Sequence, residues 1–142
     1  MMWYQFGLAV HALVAVLGIG QVLAIAFLAS DLRPGSEQLA GTVAVIRRLS
    51  RVTSISLGLM LLSGIGLMIP THGAYGQQWW FRISFLLFLV LGFFNGQVGR
   101  GLRKVTGPST EAGAAIGRLR SNAWTMCGLV AIIVCLMAAK PF

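Results

Sequence analysis

Charge is what this sequence has least of. Of its 142 residues only 10% are Asp, Glu, Lys or Arg, against about a quarter in ordinary soluble domains. So few polar groups cannot cover a water-facing surface, which excludes a soluble globular fold. Acidic residues are scarcer still, with Asp31, Glu37 and Glu111 set against eleven basic ones. None of the three falls inside a long apolar run, which argues against an acidic proton path or a cation-coupled transporter. Cysteine is confined to Cys127 and Cys135, about 12 Å apart if both lie on one helix and so unable to bridge each other. There is no C-x-x-C, no phosphate-cradling glycine loop and no catalytic triad. Low hydrophobicity, the mark of a disordered chain, is missing too: 57% of residues are hydrophobic and the mean hydropathy is +0.83. The eighteen glycines follow no Gly-X-Y period and suit membrane helices.

What is present is four apolar runs, at about 3–29, 52–69, 79–98 and 123–139. A bilayer core about 30 Å thick asks for roughly 20 such residues per helix. The reading is an all-α, integral-membrane four-helix bundle in one domain, 1–142. Trp3, Tyr4, Trp79, Trp80 and Trp124 sit near run ends, where amphipathic rings prefer the headgroup level. The first run has no basic residue before it and exceeds the h-region of a signal peptide, so it reads as a membrane helix.

Basic residues fall in two clusters: Arg33, Arg47, Arg48 and Arg51, then Arg100, Arg103, Lys104, Arg118 and Arg120. These flank the runs and do not form a stripe, so they read as topology signals that attract anionic lipid and not as a nucleic-acid surface. They predict both connections on the cytoplasmic side and both termini extracytoplasmic, in a bacterial-type inner membrane. In the first connection Ser36 is the expected N-cap, and Leu39–Arg48 is expected to lie along the interface. Small residues at Gly18, Gly58, Gly92 and Gly96 suit close helix approach. That approach serves either packing within the bundle, or self-association and docking on other membrane subunits.

Polar side chains at membrane depth are functional candidates by default. His11 has three readings: a neutral imidazole bonded across helices, an axial ligand to haem or another metal, or a proton relay. His11, Ala15, Gly18 and Val22 share one helical stripe. Arg82 either snorkels to the headgroups or pairs with a propionate. Met68 and Met137 read as gap-filling side chains, with a weaker reading alongside His72 as thioether ligands for haem or copper. Ser84 lies at similar depth, and Gln21, Asn95, Gln97 and Asn122 suit inter-helix hydrogen bonds.

An early intramembrane His11, Arg47-Arg48-Leu49 before the second run, Trp80-Phe81-Arg82 opening the third, Gly96-Gln97-Val98-Gly99-Arg100 at its end, and the closing Lys140-Pro141-Phe142 form a pattern. It resembles the HemJ-type protoporphyrinogen oxidases, and is similar to copper-resistance-D-like four-helix proteins. The resemblance implies a membrane-bound haem b with His11 as its associated histidine, and oxidation of protoporphyrinogen IX. It also implies an essential lysine where this chain has Ser84, and a Tyr-His pair where it has Phe94-Asn95. Serine carries no charge, and an amide lacks the ligand strength of an imidazole. The expected function is therefore a non-catalytic accessory subunit of a larger membrane complex on a HemJ-like scaffold. The alternatives are a haem b redox protein or porphyrinogen oxidase using His11 and Arg82, and a copper-handling protein using His11, His72, Met68 and Met137.

Overall fold

The computed structural model describes residues 2–69, 74–106 and 109–139. It is all-helical, with α1 (Met2–Asp31), α2 (Leu39–Met68), α3 (Trp79–Val105) and α4 (Ser109–Ala139), and a short 3-10 turn at Ala74–Gln77 before α3. All four are long and apolar enough to cross a membrane. α1 has no polar face, which suits a helix surrounded by apolar matter on every side.

The helices outrun the apolar runs. Leu39–Arg48 does not lie along the interface: it is the first third of α2, continuous through Met68. α3 likewise continues to Val105, and α4 begins at Ser109, well ahead of its apolar run. Ala, Leu and Arg, which fill these extensions, are good helix formers, so charge ends the apolar signal without ending the helix. At 1.5 Å per residue the 30 residues of α2 span about 45 Å, enough for the hydrocarbon core and both headgroup layers.

Ser36 is not the N-cap of α2. Gln38 holds that position without a side-chain cap bond, while the Ser36 hydroxyl turns back to donate to the Arg33 carbonyl at 3.1 Å. The turn is closed by Leu39 N–H on the Ser36 carbonyl at 3.0 Å. Gly35 has φ +74, a left-handed conformation that glycine adopts at no steric cost.

The four helices form a ring. α1 packs beside α2 and α4, α3 packs beside α4 and α2, and no described residues approach across either diagonal. The core lies at the end that holds the 31–39 and 105–109 connections. There Ile25, Ala29, Ile46, Leu102, Leu119 and Met126 are fully or almost fully buried. A polar layer closes this core from the rest of the bundle. Asn95 Nδ2 donates to the Ser50 carbonyl at 3.1 Å and to Ser54 Oγ at 2.8 Å, and Ser50 Oγ donates back to Asn95 Oδ1 at 3.1 Å. Thr53 Oγ1 reaches Gln21 Oε1 at 3.2 Å.

The outer surface is apolar. Trp3, Leu13, Val16, Leu62 and Phe93 are all exposed, and only 6% of the most apolar window of α2 is buried inside the bundle. Water would not tolerate so large a patch. In lipid it is the expected outside of a structure whose backbone polar groups are satisfied within its own helices.

Candidate functional site

Beyond the polar layer, toward Met2 and Ala139, the four helices part around a cavity of about 320 Å³. Every helix contributes to it. α1 brings His11, α2 brings Met60, Gly64 and Met68, α3 brings Phe81, Ser84 and Phe88, and α4 brings Ile133 and Met137. The volume is at the lower end of the range for small-molecule sites, and the lining is nearly all apolar with few polar groups, as such sites usually are.

His11 is anchored by α2. Its Nδ1 lies 2.7 Å from Ser63 Oγ, and that hydroxyl lies 3.1 Å from the Met60 carbonyl. Ser63 has a single proton. Both contacts are hydrogen bonds at once only if Ser63 donates to the carbonyl and accepts from an Nδ1–H. In that arrangement the imidazole is the Nδ1–H tautomer, and Nε2 has no hydrogen-bond partner among the described residues. A ligating histidine has the same arrangement, with its second nitrogen held by a neighbouring group. Gly64 lies beside the ring, and a Cβ there would make ordinary van der Waals contact with His11 Cε1 at 3.6 Å.

Ser84 faces the same cavity from α3. It is 1% exposed, and its Oγ has no hydrogen-bond partner among the described residues. A buried hydroxyl left without a partner costs about 1–3 kcal/mol. The antiparallel register sets Ser84 level with Ser63, since the Asn95 clasp on Ser50 and Ser54 lies three turns along α3 from Ser84. The cavity therefore brings His11 and Ser84 to the same depth inside an aromatic and aliphatic wall.

The remaining candidates separate. Met68 and Met137 join His11 in the lining. Arg82 does not: it is exposed, its Nε donates to the Gly76 carbonyl at 2.9 Å, and its guanidinium sits 5.6 Å from the Trp79 ring. It ties the 3-10 turn to α3. His72 lies outside the described residues. Among the described residues no group of three or more His, Cys, Asp or Glu comes together. Asn95, the position of the expected histidine, is 3% exposed and committed to the α2–α3 clasp.

Of the glycines, Gly18 faces Ser56 across the α1–α2 contact at 4.0 Å. A Cβ at Gly58, Gly92 or Gly96 would meet nothing within 4 Å. The GxxxG stretch of α3 thus looks outward and does not pack within this bundle.

Sequence reasoning missed Ser63, Met60 and Gly64. A usable signal existed: His11 and Ser63 are 52 residues apart and Gln21 and Thr53 are 32 apart. Both pairs are centred on Glu37, in the turn between the two helices. Reflecting His11 across that turn finds its partner.

No family model, curated protein or solved structure matches this chain.

Proposed function

We propose that this chain is a multi-pass subunit of the bacterial-type inner membrane, on a HemJ-like scaffold, that holds one lipophilic molecule in the cavity between its four helices and performs no chemistry of its own. Ser84 carries this reading: it lines an apolar cavity, and its hydroxyl is buried with no partner among the described residues. The ligand class follows from the lining. It has an apolar, partly aromatic body that packs on Phe81, Phe85 and Phe88, and a hydroxyl that donates to His11 Nε2. A second polar atom on it pairs with Ser84 Oγ.

Among the described residues His11 is the one titratable side chain in the lining. The expected topology puts the cavity in the extracytoplasmic leaflet, because the basic clusters gather at the opposite end. The outward Gly92 and Gly96 suit close approach by a helix of another subunit.

The test is to purify the protein gently from native membranes, extract it with organic solvent, and compare the extract with that of Ser84→Phe. The wild-type extract is expected to hold about one lipophilic molecule per chain that the variant lacks. Equal extracts from two well-folded proteins would overturn the reading.

A second reading takes the molecule to be haem b. His11 favours it, because its Nδ1 is held by Ser63 Oγ and the ring lines a cavity that Met60, Met68 and Met137 also line. Imidazole and thioether suit a haem iron. His11 would hold the iron and Ser63 would orient the ring, and haem when bound supplies one-electron redox chemistry. The fit is to the iron alone. Among the described residues no cation lines the cavity to pair with propionates, and Arg82 is engaged with the Gly76 carbonyl. A Soret band in wild type that disappears in His11→Ala supports this reading. A colourless protein with an extractable lipophile returns the weight to the first.

A further inference from the structure

The packed end of the bundle carries a second concavity, of a different chemistry. It is a groove of about 530 Å³ between α3 and α4, rimmed by Arg100 and Lys104 on one side and Arg118 on the other. Gln97 and Asn122, both half-buried, line its inner part. Gly101, Ala114 and Ala115 contribute little side-chain volume to its lining. Glu111 is the one acidic side chain in the lining, and it makes no ion pair with the three cations within 4 Å. Three cations against one carboxylate leave a net positive field focused into the concavity.

Other basic residues show that this is not how every charge in the chain is used. Arg120, on another side of α4, donates to the Ser30 and Leu32 carbonyls at 2.9 and 3.5 Å. It thereby satisfies the carbonyl end of α1. Arg47, Arg48 and Arg51 stand exposed on α2 and line no such groove. The level in the membrane also fits an anion. Trp124, exposed and donating to Ser30 Oγ at 3.0 Å, marks the headgroup layer. Asn122 and Arg118 lie just beyond it along α4, so the groove opens where lipid phosphates sit.

We propose that the α3–α4 groove is a phosphate-binding site, with Arg100, Lys104 and Arg118 as charged donors and Gln97 and Asn122 as neutral ones. Basic pockets between membrane helices on this side of a bilayer bind anionic headgroups. A lipid phosphodiester and a free phosphate share the chemistry that the groove recognises. This site is independent of the cavity around His11.

The test uses the full chain in phosphatidylcholine bicelles, with its melting temperature followed as phosphatidylglycerol or inorganic phosphate is added. Phosphatidylglycerol is expected to stabilise wild type and to bind about a hundredfold more weakly to Arg100→Gln/Lys104→Gln/Arg118→Gln. Arg47→Gln/Arg48→Gln/Arg51→Gln removes equal charge from α2 and is expected to bind as wild type does. Stabilisation by inorganic phosphate alone identifies a free phosphate as the source, and stabilisation by the lipid alone identifies a headgroup. If the groove triple variant fails to fold, Arg118→Gln replaces it, with a fall of about fivefold. Glu111→Gln is expected to tighten binding by a similar factor. Equal losses from both triple variants, no loss from the groove variant, or no response of wild type to either probe would each overturn the proposal.

Discussion

The two halves of this bundle use the same four helices in opposite ways. At the connection end, Ile46, Leu102, Leu119 and Met126 close a dry interior, and the Asn95 clasp seals it. At the other end the same helices surround a cavity, and Trp80, Ser84 and Ile133 are the buried residues that remain. Small side chains explain the first arrangement. Ala26, Ala29, Ala115 and Ala123 allow the helices to close on one another. In the second, aromatic and methionine side chains line the space between the helices. Tight packing is concentrated in one half and the apolar cavity lies in the other, so local stability is expected to differ between them.

That contrast can be broken most forcefully at its core. Leu102→Ala is expected to lower the unfolding free energy by about 2–5 kcal/mol, while Leu61→Ala in the cavity wall costs about 1 kcal/mol or less, since it enlarges a space already present. Equal losses in detergent unfolding would contradict the division. Asn95→Ala leaves the Ser50 hydroxyl without its acceptor, while Ser54 keeps its bond to the Ser50 carbonyl, and is expected to cost about 2 kcal/mol. Its effect on ligand retention should be small.

Ser84→Ala sharpens the comparison because its two effects point in opposite directions. Removing an unpaired buried hydroxyl is expected to stabilise the ligand-free protein by about 1 kcal/mol. The same change should weaken retention of the lipophilic molecule roughly tenfold, the loss of one buried hydrogen bond. Calorimetry of stripped protein, paired with ligand content of unstripped protein, reads both. The smallest expected effect is at Arg120→Gln, where an exposed contact to the end of α1 is lost. There the melting curve should shift by an amount equivalent to about 0.5 kcal/mol.

The sequence made the number of helices plain and obscured their lengths. Apolar runs mark where lipid must be faced, and they end at Arg47, Arg48 and Arg51 or at Arg100 and Arg103. The backbone at those places remains helical, so α2 gains Leu39–Arg51 and α4 gains a first half that hydropathy does not show. His11 was legible because an imidazole in an apolar run has few explanations. Its orientation was not, because facing the cavity depends on pairing with Ser63, 52 residues away. The GxxxG pattern at Gly92 and Gly96 signals close approach without saying to what, and the outward placement of both glycines answers part of that question. Arg82 was drawn away from the cavity by the Gly76 carbonyl and the Trp79 ring, contacts formed by a turn with no hydropathy signature.

The most direct measurement is a native mass spectrum of the gently extracted protein beside that of Ser84→Phe in the same detergent. The expected result is a wild-type chain heavier by one small lipophilic molecule and a variant at its bare chain mass, both cooperatively folded. Two folded proteins at their bare masses, or carrying the same adduct, would contradict a cavity built to hold a ligand.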